Sequence, residues 1–248
     1  MAKALIVLVA LLLGGYRIVI LRRAGASALR SLGITLDRWA WKDLSAGIAV
    51  GLAGVALIFI CELSVRLASI ASVGSPRVLL NDWATWIMVP VSEELVFRAG
   101  LLGGLLVLLP RYSWLAIAIS AVVFGAAHTL NEGATVITVV GSTIGAFAYG
   151  WVFATTTRLW LPIGLHFAWN YAQGPLFGFP LSGGLVKQGS VIQLARTGPD
   201  LLTGGEYGPE GGLTGLVGRA LVLLLLVWYL RHMKGPGRVQ QPAPVTAS

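Results

Sequence analysis

Long apolar runs separated by short polar stretches dominate the chain, at residues 4–21, 45–70, 83–108, 112–130, 134–155, 158–178 and 213–230. Each is close to the roughly 20 apolar residues that an α-helix needs to cross a hydrocarbon core of about 30 Å. A transmembrane barrel would instead show short alternating stretches. The pattern predicts an all-α fold, a polytopic transmembrane helical bundle of seven spans, or eight if a poorly marked or re-entrant segment is added. Pro90 lies inside the third run, where proline removes a helix donor and clashes with the preceding turn, so a kink or restart near Ser92 is expected, with Ser92 as its cap. Lys3 followed by Ala4 to Leu13 resembles a signal peptide, but no convincing small-residue cleavage site follows and Arg22-Arg23 close the run. It reads as a retained first span. Residues 1–234 are expected to form one transmembrane helical domain, with 235–248 a disordered polar tail.

Composition agrees with this pattern. The chain has 248 residues, of which 56% are hydrophobic and 11% charged, with a mean hydropathy of +0.80; a soluble domain carries about 25% charged residues. The net charge of +8 would point to nucleic acid in a soluble protein. Here the basic residues cluster beside apolar runs, which assigns them to membrane orientation and predicts no nucleic-acid partner. With the segment 22–44 inside, Arg111, Arg158 and the tail's Arg231, Lys234 and Arg238 also fall inside, and 179–212 falls outside. The expected topology is N-terminus out and C-terminus cytoplasmic, in the plasma membrane of a prokaryote. Cys61 is the only cysteine, which excludes an intrachain disulfide and a Cys-based metal cluster.

Ionisable groups inside a bilayer cost at least about 2.5–3.5 kcal/mol each, so each is a functional hypothesis by default. The third run holds three, in Val91-Ser92-Glu93-Glu94-Leu95-Val96-Phe97-Arg98. Glu94 and Arg98 are four apart and can pair on one helix face. Adjacent helix residues point about 100° apart, so Glu93 is then expected to face a different neighbour. The fourth run ends in Phe124-Gly125-Ala126-Ala127-His128, and the sixth holds His166-Phe167-Ala168-Trp169-Asn170. His166 and Asn170 present an imidazole and a carboxamide on one face, two donors able to hold an oxyanion.

Glu-Glu-x-x-x-Arg, Phe-x-x-x-His and His-x-x-x-Asn, in that order in successive apolar runs, resemble the CAAX prenyl protease and bacteriocin-processing family of intramembrane proteases. The resemblance covers roughly residues 85–178 and includes the approach Leu159-Trp160-Leu161-Pro162-Ile163-Gly164-Leu165 before His166. It implies an intramembrane endopeptidase acting on a membrane-embedded or lipidated peptide or protein. In that reading Glu93 and His128 activate water, His166 and Asn170 stabilise the oxyanion, and Glu94 with Arg98 orders the site; Arg98 could instead hold a substrate carboxylate. Members of the family have been called metalloproteases, and Glu93, Glu94, His128 and His166 could supply a zinc site. Against zinc, the His-Glu-x-x-His helix of soluble zinc proteases is absent, Thr129 following His128 and Phe167 following His166, so no cofactor is the favoured expectation.

Plainer readings stand beside these. Glu94 with Arg98 could be a structural ion pair, and the histidines and Asn170 could be polar glue between helices. A transporter with midplane carboxylates, or a non-catalytic immunity-type protein of the same family, is the rival function. Glu62 and Arg66 are expected to form a structural i, i+4 pair. Gly141, Gly145 and Gly150 are expected to allow close helix contact, and the Gly-rich stretch 203–212 to be a flexible external loop.

Overall fold

Helix boundaries in this chain trace to single side chains. The computed structural model describes residues 2–184 and 189–233; the expected tail at 235–248, with Lys234 and Arg238, lies outside the described residues. Helix α1 (Ala2–Arg23) ends on Arg22 and Arg23, cations at the negative end of the helix dipole. Ser27 caps the single turn of α2 (Ala28–Ser31). Asp37 caps α3 (Arg38–Ser64) by accepting from the N–H groups of Trp39 and Ala40 at 2.9 and 3.0 Å. Strand β1 (Ala68–Val73) follows. The third apolar run is helical from α4 (Trp83–Glu94) through a π-wound segment, Leu95–Leu102, to α5 (Gly103–Leu108). Helix α6 (Ser113–Ala127) closes in a 3-10 turn, His128–Leu130. Thr135 and Thr138 exchange hydrogen bonds as a capping box at the start of α7 (Val136–Thr156). Helix α8 (Trp160–Tyr171) also passes into a π segment, Ala172–Leu176. Strand β2 (Ile192–Arg196), the one-turn α9 (Asp200–Thr203) and α10 (Leu213–His232) complete the order.

Among the described residues, five helices are long and apolar enough to cross a membrane: α1, α3, α6 with its 3-10 turn, α7 and α10. The third and sixth runs are helical too but divide at their π segments, so the structure supports five candidate spans where seven or eight are expected. Large side chains such as Leu8, Leu11, Leu12, Leu224 and Trp228 are exposed on these helices, as a lipid-facing surface requires.

The fold is nearly all-α, and three details depart from expectation. Strands β1 and β2 form an antiparallel ladder from Ala68 opposite Arg196 to Val73 opposite Ile192. The second run therefore stops being helical at Ser64, where Arg66 adopts a left-handed φ of 58°. That turn also prevents the expected Glu62–Arg66 pair. Glu62 is fully buried and accepts from the Thr214 hydroxyl at 2.8 Å instead. Pro90 does not restart the helix either: α4 runs through it, and the Ser92 hydroxyl bonds back to the Val89 carbonyl at 2.9 Å rather than capping.

The largest core cluster joins Val55 and Ile58 of α3, Val152 of α7, Leu161, Leu165 and Trp169 of α8, and Val222 and Leu226 of α10. Its centre is the α3–α8 contact, where backbones touch. A Cβ on Gly47 would stand 2.3 Å from the Leu161 carbonyl oxygen, and one on Gly164 would stand 2.3 Å from that of Leu44. One end of the bundle is closed by Arg158, which donates to Asp43 at 2.6 Å and to Asp37 at 2.9 and 2.7 Å, while the Tyr229 hydroxyl donates to Asp43 at 2.8 Å. The 65–82, 128–135 and 189–212 segments gather at the other end, where Thr197 meets Arg66 and Asn131 meets Tyr207.

Two outcomes are expected. Gly47→Ala forces α3 from α8 and costs about 1–3 kcal/mol of overpacking, read as a lower unfolding midpoint in detergent; Gly15→Ala, where nothing lies within 4 Å, leaves the midpoint in place. The Arg158 hydrogen bonds are the main reason the Asp37 carboxyl is lowered from 3.8 to about 2. A depressed carboxylate contributes stability above its unfolded value that is lost as pH falls through the folded value. The midpoint difference between the protein and Asp37→Asn therefore shrinks between pH 3.8 and about 2.

Candidate active site

The three motifs converge because α4, α6 and α8 bring their polar positions to one place. Glu94, on the last turn of α4, is fully buried. Its Oε1 accepts from His166 Nδ1 of α8 at 2.8 Å, and its Oε2 lies 3.1 Å from Arg98 Nε. Arg98 sits in the π segment, 1% exposed, with its guanidinium over the rings of Phe124 at 4.6 Å and Tyr149 at 5.1 Å. Its two terminal nitrogens have no acceptor among the described residues, so the aromatic faces supply much of its stabilisation.

Glu93, one residue earlier, stays half-exposed. It was expected to face a different neighbour from Glu94, yet both carboxylates flank the same imidazole: Glu93 Oε2 lies 3.8 Å from His166 Nε2. That distance is ion-pair range and too long for a hydrogen bond. The contact with Glu94 thus fixes the ring and turns Nε2 toward Glu93.

His128 closes α6. Its Nδ1 lies 2.8 Å from the Phe124 carbonyl oxygen, and its ring packs against that of Phe124 at 4.6 Å with a 40° tilt. A carbonyl can only accept, so Nδ1 carries the proton, and in the neutral ring Nε2 is an acceptor. Phe124 thus holds His128 in one tautomer by its backbone carbonyl and supports Arg98 by its ring.

Glu93, His128, His166 and Asn170 all line one cavity of about 220 Å³. Glu94 and Arg98 do not line it; they stand behind His166. Arg98 is therefore out of reach of a substrate carboxylate. Asn170 is 9% exposed, one turn beyond His166 on α8, and its carboxamide meets the same cavity. Glu93 and His128 share the wall without an ion pair or hydrogen bond between them.

Of the four residues that could supply zinc ligands, Glu94 and one edge of His128 are engaged elsewhere. Both Glu94 oxygens are directed at His166 and Arg98, away from the cavity, and His128 Nδ1 is bonded to a carbonyl. Among the described residues no group of three or more His, Cys, Asp or Glu side chains is placed to hold a metal ion.

Several cavity residues were not expected. Tyr149 of α7 has its ring 5.6 Å from that of His166. Glu210, in the stretch read as a flexible loop, accepts from Trp169 Nε1 at 3.1 Å and from the Ser182 hydroxyl at 2.8 Å. The glycines around it form a tight turn: Gly204 and Gly208 have φ of 79° and 96°, and a Cβ on Gly208 would stand 1.9 Å from the Pro180 carbonyl oxygen. Arg219 of α10 also lines the cavity. It is the only charged residue of the run 213–230, and the cost of intramembrane charge would have singled it out. Glu210 carried no comparable signal.

Neither the curated proteins nor the solved structures contain a match to this chain. A family model does match, and its span, residues 75–172, is less than half of the chain but takes in Glu93, Glu94, Arg98, His128, His166 and Asn170; Glu210 and Arg219 lie beyond it. Over those residues the chain matches the Rce1-like family, described as type II CAAX prenyl endopeptidase Rce1-like, and so the family of intramembrane proteases that its three motifs resemble.

Proposed function

We propose that this protein is an intramembrane endopeptidase that hydrolyses a peptide bond of a membrane-embedded or lipidated peptide or protein. The observation that carries the reading is the shared cavity of Glu93, His128, His166 and Asn170, backed by the buried Glu94–Arg98 pair.

The chemistry follows from the donors and acceptors present. A water held between the Glu93 carboxylate and the His128 acceptor nitrogen gives its proton to Glu93 as its oxygen attacks the scissile carbonyl carbon. The carbonyl π electrons move to oxygen, and the resulting oxyanion takes hydrogen bonds from the Asn170 amide and from a protonated His166 Nε2. Glu94 accepts from Nδ1–H, and with Glu93 beside the other edge the two carboxylates favour the imidazolium, the form in which Nε2 also carries a proton to donate. Collapse of the tetrahedral intermediate breaks the C–N bond, and Glu93 returns the proton to the leaving amine. Donors fixed in advance within a low-dielectric site are worth far more than in water. Arg98 holds Glu94 and touches no reacting atom, so Glu94 and Arg98 are positioning residues. Reading the basic residues near Arg158 as cytoplasmic, as the positive-inside rule favours, we take the cavity end of the bundle to face the outer side of a prokaryotic plasma membrane.

Purified protein in detergent is expected to cleave an apolar membrane peptide. Glu93→Gln and His128→Ala lower kcat by about 10²–10⁴-fold and Asn170→Ala by about 10²–10³-fold, with unfolding midpoints retained; full activity in Glu93→Gln would overturn the reading. o-Phenanthroline leaves turnover unchanged, whereas a loss that added zinc restores would contradict the metal-free chemistry.

A further inference from the structure

Arg219 has no role in the chemistry above, yet it is 6% exposed and lines the catalytic cavity. A buried guanidinium needs compensation, and that supplied within the fold is incomplete. Among the described residues its one hydrogen bond runs from Nη1 to the Glu210 main-chain oxygen at 3.5 Å, a long contact, and its guanidinium carbon lies 5.3 Å over the Trp169 ring. All ten Asp and Glu residues lie among the described residues, and none forms an ion pair with Arg219. The nearby Glu210 carboxylate is occupied by Trp169 and Ser182.

Space for the guanidinium is built into the backbone. A Cβ at Gly141 or Gly215 would stand 3.0 Å from Arg219 Nη1, and one at Gly145 would stand 3.4 Å from Nε. Gly141 and Gly145, expected to serve helix contact, thus clear the place where Arg219 meets the cavity. The position relative to the catalytic groups is short-range. Trp169, on which Arg219 stacks, adjoins Asn170, and Gly145 is one turn from Tyr149, whose ring is 5.6 Å from that of His166. A peptide whose carbonyl sits at His166 and Asn170 needs only a few residues, at about 3.3–3.6 Å each, to bring a carboxylate to Arg219.

We propose that Arg219 is a carboxylate-binding subsite of the cavity, which anchors a peptide through a chain-terminal or side-chain carboxylate a few residues from the bond to be cut. The ligand's identity as a peptide rests on the endopeptidase reading; the anion site rests on Arg219 and its glycine-lined setting. Arginine suits the task because its planar fork matches a carboxylate.

The test uses the full chain in detergent with Glu93→Gln, so that bound peptide is not consumed, and a dansylated Gly-Leu-Val-Ile-Ala peptide as free acid or C-terminal amide. The acid binds at least about tenfold more tightly, the scale of a charge-assisted hydrogen bond. Adding Arg219→Gln abolishes the difference, and Arg219→Lys keeps part of it. Equal binding of acid and amide before Arg219 is changed, a comparison that needs no variant at this position, would overturn the proposal, as would a difference that survives Arg219→Gln. An amidated peptide with aspartate in place of the last alanine names the source: binding like the acid means that a side-chain carboxylate suffices, and binding like the amide means that the chain terminus is read. Turnover by the unaltered protein is scored separately. Carboxylate-dependent binding without any turnover removes the endopeptidase reading and keeps the subsite, while turnover with acid and amide treated alike does the reverse.

Discussion

The bond between Glu94 and His166 is the constraint on which the site depends. A carboxylate with no exposure would be expensive to keep ionised alone, and here its two oxygens are met by an imidazole from another helix and a guanidinium from its own. The same contact that makes the buried charge tolerable fixes which edge of His166 reaches the cavity. The register of α4 against α8 is thereby tied to the geometry of the cavity. The glycine-mediated approach of α3 to α8 holds that register from the far side of α8. Wider π winding immediately after Glu94 and after Tyr171 places irregular backbone beside the site, where such winding is often found.

Around this pair the cavity divides by environment. Glu94 and Arg98 lie behind the wall, whereas Glu93 is half-exposed at the cavity. Two adjacent carboxylates thus receive different surroundings from a single turn of helix. Arg219 supplies the opposite charge from α10, beyond the region of family resemblance. Arg98, for which holding a substrate carboxylate was the alternative role, does not line the cavity, whereas Arg219 does.

Much of this was legible in the sequence because both signals have simple physical origins. Apolar runs of span length marked every long helix, and the cost of charge in a bilayer marked Glu93, Glu94, His128 and His166. The i, i+4 spacing foretold that Arg98 would meet Glu94. It could not foretell that both carboxylates would converge on His166, since that depends on the placement of α4 against α8. The β1–β2 ladder was hidden because Val65, Leu67 and Ile70 continue an apolar run, and nothing local announces that Arg66 takes a left-handed turn. The glycines at 204 and 208 looked like flexibility, but they serve a tight turn that carries Glu210 to Trp169. The π segments divide two apolar runs that composition alone reads as unbroken.

The central claim is that this cavity adds water across a peptide bond with Glu93 as the base. Its most direct test is cleavage of an apolar membrane peptide in oxygen-18 water, followed by mass spectrometry of the products. One heavy oxygen is expected in the new carboxyl terminus made by the unaltered protein, and no such product within the same time from Glu93→Gln. An intact peptide with the unaltered protein, or equal incorporation by the two proteins, would contradict it.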